Sequence, residues 1–383
     1  MKKKTILTIH EKNTIIRNII NAIIIRKNFL ILGHVIPDED CIGSMVAMAL
    51  IISKFSKDVA IYLDSNIHEH FQYLLNICEY NSIKLLHQPD AIEESIDTVI
   101  ICDTPKPSMI SANKGVLSLV GNADVIKVEI DHHLGADSEY IGDKEYCLVA
   151  EASSASELVG LIAMKIRSRV DILKEYNITS FMTRNLVLSI LTGIIGDSKM
   201  GQFLKSKREK KYYQIFSNLY NNLLVNDTVK TTNFMNMGQV FNEIQRLSNH
   251  EERCNSFMLG KKVIMPPIGL VVLNQEDMTV LNEMFETEII VNAMRVVADS
   301  LAEESGKLSL VVSDDAGSDL VQFRMRRSHG YKAFDVRDVL TMFSIDNGGG
   351  HEGAIGFRLK RDAIPDLNGY ISSLIEGVRR VIP

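Results

Sequence analysis

Four short apolar runs in the first half of the chain constrain its fold more than any other feature. They are rich in β-branched residues and read FLILG (29–33), VAIYL (59–63), TVIIC (98–102) and VIKVEI (125–130). Longer helical patterns, at 42–55 and 154–166, lie between or after them. Uninterrupted apolar runs are typical of strands buried on both faces, and their alternation with helices predicts a mostly parallel sheet flanked by helices.

A change in composition predicts how the chain is divided. A chain of 383 residues is long enough for two or three domains. From 203 to 255 the sequence is polar and helical, and a second α/β pattern follows. We therefore expect a two-lobed α/β protein with an N-terminal domain over 1–202, a helical connector over 203–255 and a smaller C-terminal domain over 256–383.

Composition excludes several classes of protein. The chain is 46% hydrophobic and 23% charged, as in ordinary globular proteins, and its longest apolar stretch (45–52) is too short for a membrane span. The sequence opens with a basic segment, but the apolar run that follows breaks too early for a signal peptide. The net charge of −6 argues against a surface for long duplex nucleic acid. Five scattered cysteines show neither CxxC spacing nor a disulfide framework, so the cytoplasm is the expected location.

Three of the predicted strands run into residues that bind metals. His34 follows the first run, Asp103 the third, and the segment 131–133 (Asp-His-His) the fourth. Because ligands bind at the carboxyl ends of strands in open α/β sheets, we expect these side chains to converge.

Further acids follow nearby apolar segments, namely Asp38, Asp40 and Asp197. Taken singly, each such residue is more often a turn or helix cap. Four clusters of acidic or histidine residues together indicate a bound cation, because the carboxylates would otherwise repel one another. Histidine and aspartate ligands without cysteine suit Mn²⁺ or another hard-to-borderline divalent ion better than structural zinc.

The motifs GHVIPDEDCIGS (33–44), ICDTP (101–105), DHH (131–133) and GIIGDS (193–198) resemble, in order, those of the DHH phosphoesterase superfamily. The segment GGGHEGAIGF (348–357) is similar to the signature of the DHHA1 domain. The resemblance is to the small DHH–DHHA1 phosphodiesterases, which act on nanoRNA, pAp, or cyclic di-AMP and its linear product. Two departures concern Glu39, where many members have a small residue, and the segment 198–203, which is longer than usual.

The resemblance implies a site for two manganese ions. One ion would be held by His34, Asp38 and Asp103, and the other by Asp40, Asp103, His132 and Asp197. The catalytic residues would be Asp103, His132, His133 and Asp131, with Asp131 orienting a ligand and His133 beside the substrate phosphate. Two such ions would lower the pKa of a bridging water and hold the phosphoryl oxygens during in-line attack.

The C-terminal domain supplies the predicted substrate clamp. Its glycines offer backbone N–H groups to an anion, although a tight loop between core elements is the alternative. If 322–328 is a strand, Arg327 projects opposite to Arg324 and Arg326. By the family pattern, the clamp consists of Arg327, Ser328, Gly349, Gly350 and His351, together with His133 of the first domain.

The expected function is manganese-dependent hydrolysis of a short oligonucleotide or small adenylate nucleotide to mononucleotides. The residues leave the substrate open among pAp, pApA, cyclic di-AMP and nanoRNA. A non-catalytic nucleotide sensor of the same fold and a single-strand-specific exonuclease are the alternatives. No membrane or long-duplex partner is expected, and a homodimer is compatible with the helical connector.

Overall fold

The computed structural model describes residues 2–63, 67–87, 95–110, 113–135, 138–201, 203–227, 234, 236–244 and 249–382. The chain divides into two compact units, Met1–Arg246 and Leu247–Pro383. This division falls inside the segment 203–255, and the three-part domain boundaries remain a prediction. Within the described ranges, we find no helix with the length and apolar character needed to cross a membrane.

The first unit contains a parallel sheet. Its strands are β1 (Asn28–Leu32), β2 (Asp58–Tyr62), β3 (Lys84–Leu86), β4 (Thr98–Cys102), β5 (Ile126–Asp131) and β6 (Cys147–Val149). Every neighbouring pair is parallel, and the order is β3-β2-β1-β4-β5-β6. The chain therefore winds outward in both directions from β1 and β4, which leaves a crevice at the carboxyl ends of these two strands. The predicted fold class is confirmed.

Helices cover both faces of this sheet. They are α1 (Ile9–Ile25), α2 (Glu39–Ser53), α3 (Gln72–Tyr80), α4 (Lys114–Gly121), α5 (Ala155–Arg167), α6 (Val170–Glu175), α7 (Arg184–Asp197), α8 (Lys207–Asp227) and α9 (Met237–Ile244). In β1, Phe29 and Ile31 join the core that contains α2, α5 and α7, while Leu30 and Leu32 join a second core with β4 and α4. Burial on both faces is the physical reason why the strand sequences are apolar without interruption.

The second unit is built on a mixed sheet. Its elements are α10 (Asn249–Leu259), β7 (Val263–Met265), β8 (Ile268–Leu273), α11 (Gln275–Met284), α12 (Thr287–Ser305), β9 (Leu308–Asp314), β10 (Leu320–Arg327), α13 (Asp338–Met342), β11 (Gly348–His351), β12 (Ala354–Lys360) and α14 (Leu367–Val381). The strand order is β11-β12-β10-β9-β8-β7, with β8 and β9 parallel and the other pairs antiparallel. Helix α14 packs on one face of this sheet, and helices α10 to α12 pack on the other face.

Candidate metal centre

The carboxyl ends of β1, β4 and β5 carry the predicted ligands. His34 lies two residues beyond β1, Asp103 lies directly after β4, and Asp131 is the last residue of β5. Asp103 has a left-handed backbone (φ 49°), a conformation that aspartate tolerates better than most residues, and its N–H donates to Ile130 O at 2.9 Å. This turn holds Asp103 at the crevice between β1 and β4.

Two acids reach the same place from the beginning of α2. Asp38 is the N-cap of this helix, and its Oδ1 accepts hydrogen bonds from the N–H groups of Asp40 and Cys41, both at 3.2 Å. The same oxygen lies 3.8 Å from His34 Nε2. The capping role that a lone aspartate usually has and contact with a candidate ligand therefore occur together at Asp38.

The Asp40 carboxylate is fully buried at the N-terminus of α5. Its oxygens accept hydrogen bonds from the backbone N–H groups of Ala155 at 2.5 Å and Ser156 at 2.8 Å. Free N–H groups and the helix dipole both favour a negative charge at this position. Burial nevertheless raises the pKa of Asp40, so that these donors offset only part of the desolvation.

His132 lies at the centre of the acidic groups. Its Nε2 is 3.3 Å from Asp197 Oδ2, 3.4 Å from Asp103 Oδ1 and 3.8 Å from Asp40 Oδ2. Its Nδ1 lies 3.4 Å from the carbonyl oxygen of Ala152, which only accepts, so Nδ1 carries a hydrogen. Burial alone would lower the pKa of this ring, but Asp103 and Asp197 outweigh it and raise the pKa, and a cation at Nε2 would take the place of the second hydrogen. Two ligands at right angles on an ion with bonds of about 2.1 Å lie about 3 Å apart, close to the separations found here.

Asp103 connects this group with His34. Its Oδ2 lies 3.7 Å from His34 Nε2, and its Oδ1 lies 3.4 Å from both His132 Nε2 and His133 Nδ1. The residue is 1% exposed, and Oδ1 has no hydrogen-bond partner among the described residues. A buried carboxylate oxygen without a donor is costly, and a cation between the histidines would satisfy it.

The charges of the cluster also fit a divalent ion. Burial, followed by the negative charge of Asp40, raises the pKa values of both Asp103 and Asp197. Carboxylates that are this close repel one another when ionised, and positive charge relieves the repulsion. The histidine and aspartate donors thus suit a hard-to-borderline divalent metal, and they form overlapping groups around Asp103 and His132.

A chain of contacts leads from His133 into the protein. Asp131 Oδ1 accepts hydrogen bonds from His133 Nδ1 at 2.8 Å and from His133 N at 3.2 Å, whereas its Oδ2 accepts one from Lys3 Nζ at 2.5 Å. Burial alone would raise the pKa of Asp131, but the bond from His133 and the charge of Lys3 outweigh it and lower this pKa. The His133 side chain, 41% exposed, is therefore fixed at Nδ1.

Sequence reasoning missed two residues of this region. Cys41 Sγ lies within 4.8 Å of ligand atoms of His34 and Asp103, and its position directly after Asp40 was an available signal. Burial raises the pKa of its thiol, so the sulfur is protonated when no cation is present. Lys3 gave no signal, because a lysine near a chain end is usually solvated.

Three glycines allow α2 and α7 to approach closely. A Cβ at Gly43 would lie 2.8 Å from Ser189 O, and one at Gly196 would lie 2.6 Å from the Cβ of Glu39. At Gly193, an added Cβ would overlap Asp40 Oδ1 and Ser156 Oγ. We call Gly43, Gly193 and Gly196 the glycine seam. It brings Asp197, the last residue of α7, beside the beginning of α2.

Gly193→Ala is expected to destabilise the first unit by about 1–3 kcal/mol, because the methyl group forces the seam apart. Since the methyl group would press directly on the Asp40 carboxylate, we also expect weaker binding of Mn²⁺ by isothermal titration calorimetry. Gly121→Ala at the end of α4 is the matched control, since its Cβ would meet nothing within 4 Å. Equal effects of Gly193→Ala and Gly121→Ala on stability and on Mn²⁺ binding would contradict this role of the glycine seam.

The predicted clamp residues lie in the second unit in two different settings. Arg327 is buried, with Nη1 donating to Phe334 O at 2.7 Å and Nη2 3.6 Å from Glu352 Oε1. Ser328 is buried too, and its Oγ donates to Gly306 O at 3.0 Å. The other three, Gly349, Gly350 and His351, are exposed on β11. Arg327 and Ser328 therefore have partners within their own unit, and their role toward a substrate remains a prediction.

The chain is similar to known proteins in sequence and in fold. Residues 28–194 match the family model described as "DHH family, N-terminal domain". The cyclic-di-AMP phosphodiesterase GdpP of Bacillus subtilis is 33% identical over 139 residues, a region that covers 34% of this chain and 20% of that protein. This chain therefore spans only a fifth of that relative. An exopolyphosphatase-related protein from Bacteroides fragilis has a similar fold, with a TM-score of 0.66 and 17% identity over 97% of this chain and 98% of that one.

Proposed function

Because residues 28–194 carry the N-terminal domain of the DHH family, we propose that the chain is a metal-dependent phosphoesterase that hydrolyses small nucleotides. The observation that supports this proposal most is the position of Asp103. One of its oxygens lies near His34 and the other near His132, as a carboxylate shared by two ions requires. When bound, a pair of divalent ions supplies the positive charge that lowers the pKa of water and offsets the charge of a phosphoryl group.

The other predicted ligands lie in two groups, one on each side of Asp103. His34 and Asp38 form the group on one side of Asp103, and Asp40, His132 and Asp197 form the group on the other side. The N-terminus of α5 fixes Asp40, and the Ala152 carbonyl fixes the tautomer of His132. These contacts hold the donors in place before any ion binds, so that little reorganisation is needed. Manganese is the ion we propose, since the donors are nitrogen and oxygen only.

His133 is proposed to contact the substrate rather than a metal. Asp131 accepts the hydrogen from Nδ1, which leaves Nε2 as the available atom of a partly exposed ring. A ring that carries a hydrogen on both nitrogens could donate from Nε2 to a phosphoryl oxygen, which would orient the phosphate and stabilise charge that develops on it. The ion pair of Asp131 with Lys3 keeps this orientation fixed.

The substrate we propose is a short adenylate nucleotide. The Bacillus subtilis relative is a cyclic-di-AMP phosphodiesterase, which supports an adenylate substrate, although this chain spans only a fifth of that protein. The net charge of −6 also favours a small ligand over a long polymer. The C-terminal GGGHEGAIGF segment, which resembles the DHHA1 signature, is proposed to bind the nucleotide together with Arg327 and Ser328.

A substrate panel tests the proposed function. The purified chain is incubated with pAp, pApA, cyclic di-AMP or a short oligoadenylate in the presence of Mn²⁺, Mg²⁺ or EDTA, and products are identified by mass spectrometry. We expect release of AMP from at least one substrate, fastest with Mn²⁺ and absent with EDTA. Tight binding of cyclic di-AMP without any product would instead identify a nucleotide sensor, and cleavage of long single strands would identify an exonuclease.

A further inference from the structure

One face of the second sheet is only partly covered. On the face toward α12, the apolar core takes Val271 and Leu273 from β8 and Val311 from β9. Among the described residues, this core contains no side chain of β10, β11 or β12. Alternate residues of β10 belong to the opposite core, so that Arg324 and Arg326 lie on the α12 face while Arg327 lies on the other.

Arginines gather on this face of the sheet beyond the apolar core. Arg358 of β12 lies on the same face, opposite Gln322 in the β-ladder, and Arg295 approaches from α12. Burial, together with the charges of Arg326, Arg295 and Arg358, lowers the pKa of Arg324 to about 10. Positive groups this close repel one another unless an anion lies between them.

Among the described residues, little negative charge lies beside Arg324 and Arg326. Asp299 Oδ1 lies 3.6 Å from Arg326 Nε, which gives Arg326 one acidic neighbour. Arg324 takes part in no ion pair in the described part of the chain, and its buried Nε has no hydrogen-bond partner there. A buried guanidinium donor without an acceptor is costly, so a ligand is the simplest way to satisfy it.

Two glycines leave space beside these arginines. Gly356 of β12 is paired with Arg324 on one side and with Gly349 of β11 on the other. A Cβ at Gly356 would meet only Phe323 O at 3.8 Å, and one at Gly349 would meet nothing within 4 Å. By contrast, a Cβ at Gly348 would lie 2.7 Å from the Cβ of Phe357. Packing of the described residues therefore explains glycine at 348 but not at 349 or 356.

We propose that this face binds the phosphate groups of an anionic ligand, and we call Arg295, Arg324, Arg326, Arg358 and Gly356 the arginine shelf. Guanidinium groups bind phosphate through paired N–H donors. Arg324 and Arg326 are two residues apart on one strand, about 6.6 Å, so that one phosphate group fits between their side chains. The bare backbone at Gly356 allows the ligand to approach the sheet.

The arginine shelf is independent of the metal centre in its chemistry. None of its four arginines belongs to the predicted clamp, and Arg327 lies on the opposite face of the sheet. Gly356 is the one shelf residue within the segment 348–357, where it pairs with Gly349. The proposal therefore goes beyond the proposed function, and binding measured in EDTA tests it whether or not the chain hydrolyses anything.

The experiment compares two probes, a fluorescein-labelled short oligoadenylate and inorganic tripolyphosphate, the second measured by competition or by calorimetry. The full chain is used, with EDTA present throughout. For Arg324→Gln/Arg326→Gln we expect the Kd to rise roughly tenfold or more, because two charge-assisted contacts are lost. An effect on both probes supports recognition of the phosphate groups that they share. An effect on only one probe assigns the shelf to a nucleotide or to an inorganic polyphosphate, respectively.

Two further variants control for net charge. Arg379→Gln/Arg380→Gln removes the same charge from α14, which packs against the opposite face of the sheet, and we expect the Kd to change by less than about twofold. Gly356→Leu keeps every charge but fills the floor of the shelf, and we expect it to weaken binding as the arginine variant does. Thermal melting confirms that each variant is folded.

Three results would overturn the proposal. Wild-type protein that binds neither probe lacks the site, and equal losses in the shelf variant and the α14 variant would show a general effect of charge. Unchanged binding by a folded Gly356→Leu variant would likewise contradict a ligand lying on the shelf.

Discussion

Replacement of Asp103 by asparagine is expected to lower kcat/KM for the best substrate by about three orders of magnitude. Asp103 faces His34 with one oxygen and His132 with the other, and asparagine offers only one oxygen and no charge. The contribution of metal ions to stabilising a transition state is several kcal/mol, and each 1.36 kcal/mol corresponds to a factor of ten in rate. Loss of the shared ligand should therefore remove most of the activity.

Although Asp103→Asn should lose activity, it should not lose thermal stability when metal is absent. Burial and the nearby Asp40 raise the pKa of Asp103, so the ionised carboxylate destabilises the metal-free fold at neutral pH. Asp103→Asn should thus melt in EDTA at the same temperature as wild type or higher. With Mn²⁺ added, the order should reverse, because only wild type binds the ions tightly and is stabilised by them.

Asp124→Asn is the control for this prediction, because Asp124 is an exposed carboxylate in the same unit. It should change neither kcat/KM nor the response of the melting temperature to Mn²⁺. An Asp103→Asn protein that keeps its activity and its stabilisation by Mn²⁺ would show that Asp103 is not a shared ligand. A variant that is already unstable in EDTA would show that Asp103 has a structural role instead.

The parallel sheet was predictable because each strand is buried on both faces. The runs at 29–33, 59–63, 98–102 and 125–130 correspond to β1, β2, β4 and β5 with shifts of about one residue at their ends. From this sheet it followed that His34, Asp103 and Asp131 would lie at one edge, as the structure shows. Strand order was not predictable, since apolar runs specify burial but not which neighbour each strand takes.

The position of Asp197 was not predictable from the pattern of apolar runs. The apolar run before it forms helix α7 rather than a strand, and the position of Asp197 depends on how closely α7 approaches α2. That approach depends on the glycine seam, and a glycine within an apolar run indicates only a missing side chain. The N-terminus of α5 as a donor to Asp40 is likewise a contact between residues more than a hundred positions apart.

Lys3 is the clearest example of a residue whose position could not be predicted from the sequence. The opening Met-Lys-Lys-Lys resembles a solvated basic segment, yet in the structure Lys2 and Lys4 are exposed and Lys3 is buried. The difference arises because the segment runs beside 138–140, where Lys3 N donates to Ser138 O at 3.2 Å and Lys4 N to Tyr140 Oη at 3.0 Å. A single sequence does not reveal which of three adjacent lysines faces inward.

Lys3→Met is expected to destabilise the first unit by about 3–5 kcal/mol, which corresponds to a fall in melting temperature of roughly 10 °C. The side chains of Lys3, Glu129 and Asp131 are all 0% exposed, and Lys3 Nζ lies 2.7 Å from Glu129 Oε1 and 2.5 Å from Asp131 Oδ2. The same ammonium donates to Thr104 O at 2.6 Å. Methionine fills the space but leaves two buried carboxylates without their cation.

The pH dependence of this loss follows from Asp131. In wild type its pKa is lowered, despite burial, by the bond from His133 and by Lys3, so its ionised form adds stability above the unfolded pKa and this stability is lost as the pH falls. Without Lys3, this contribution shrinks. The difference in melting temperature between wild type and Lys3→Met should therefore be largest near neutral pH and smaller at acidic pH.

Two variants separate the ion pair from simple loss of contacts. Lys4→Met replaces an exposed neighbour and should change stability by less than about 0.5 kcal/mol. Lys3→Met/Glu129→Gln removes one of the two uncompensated charges and should recover part of the loss, since a neutral amide is cheaper to bury than a carboxylate. If the double variant is no more stable than Lys3→Met at any pH, loss of packing rather than loss of the ion pair explains the lower stability of Lys3→Met.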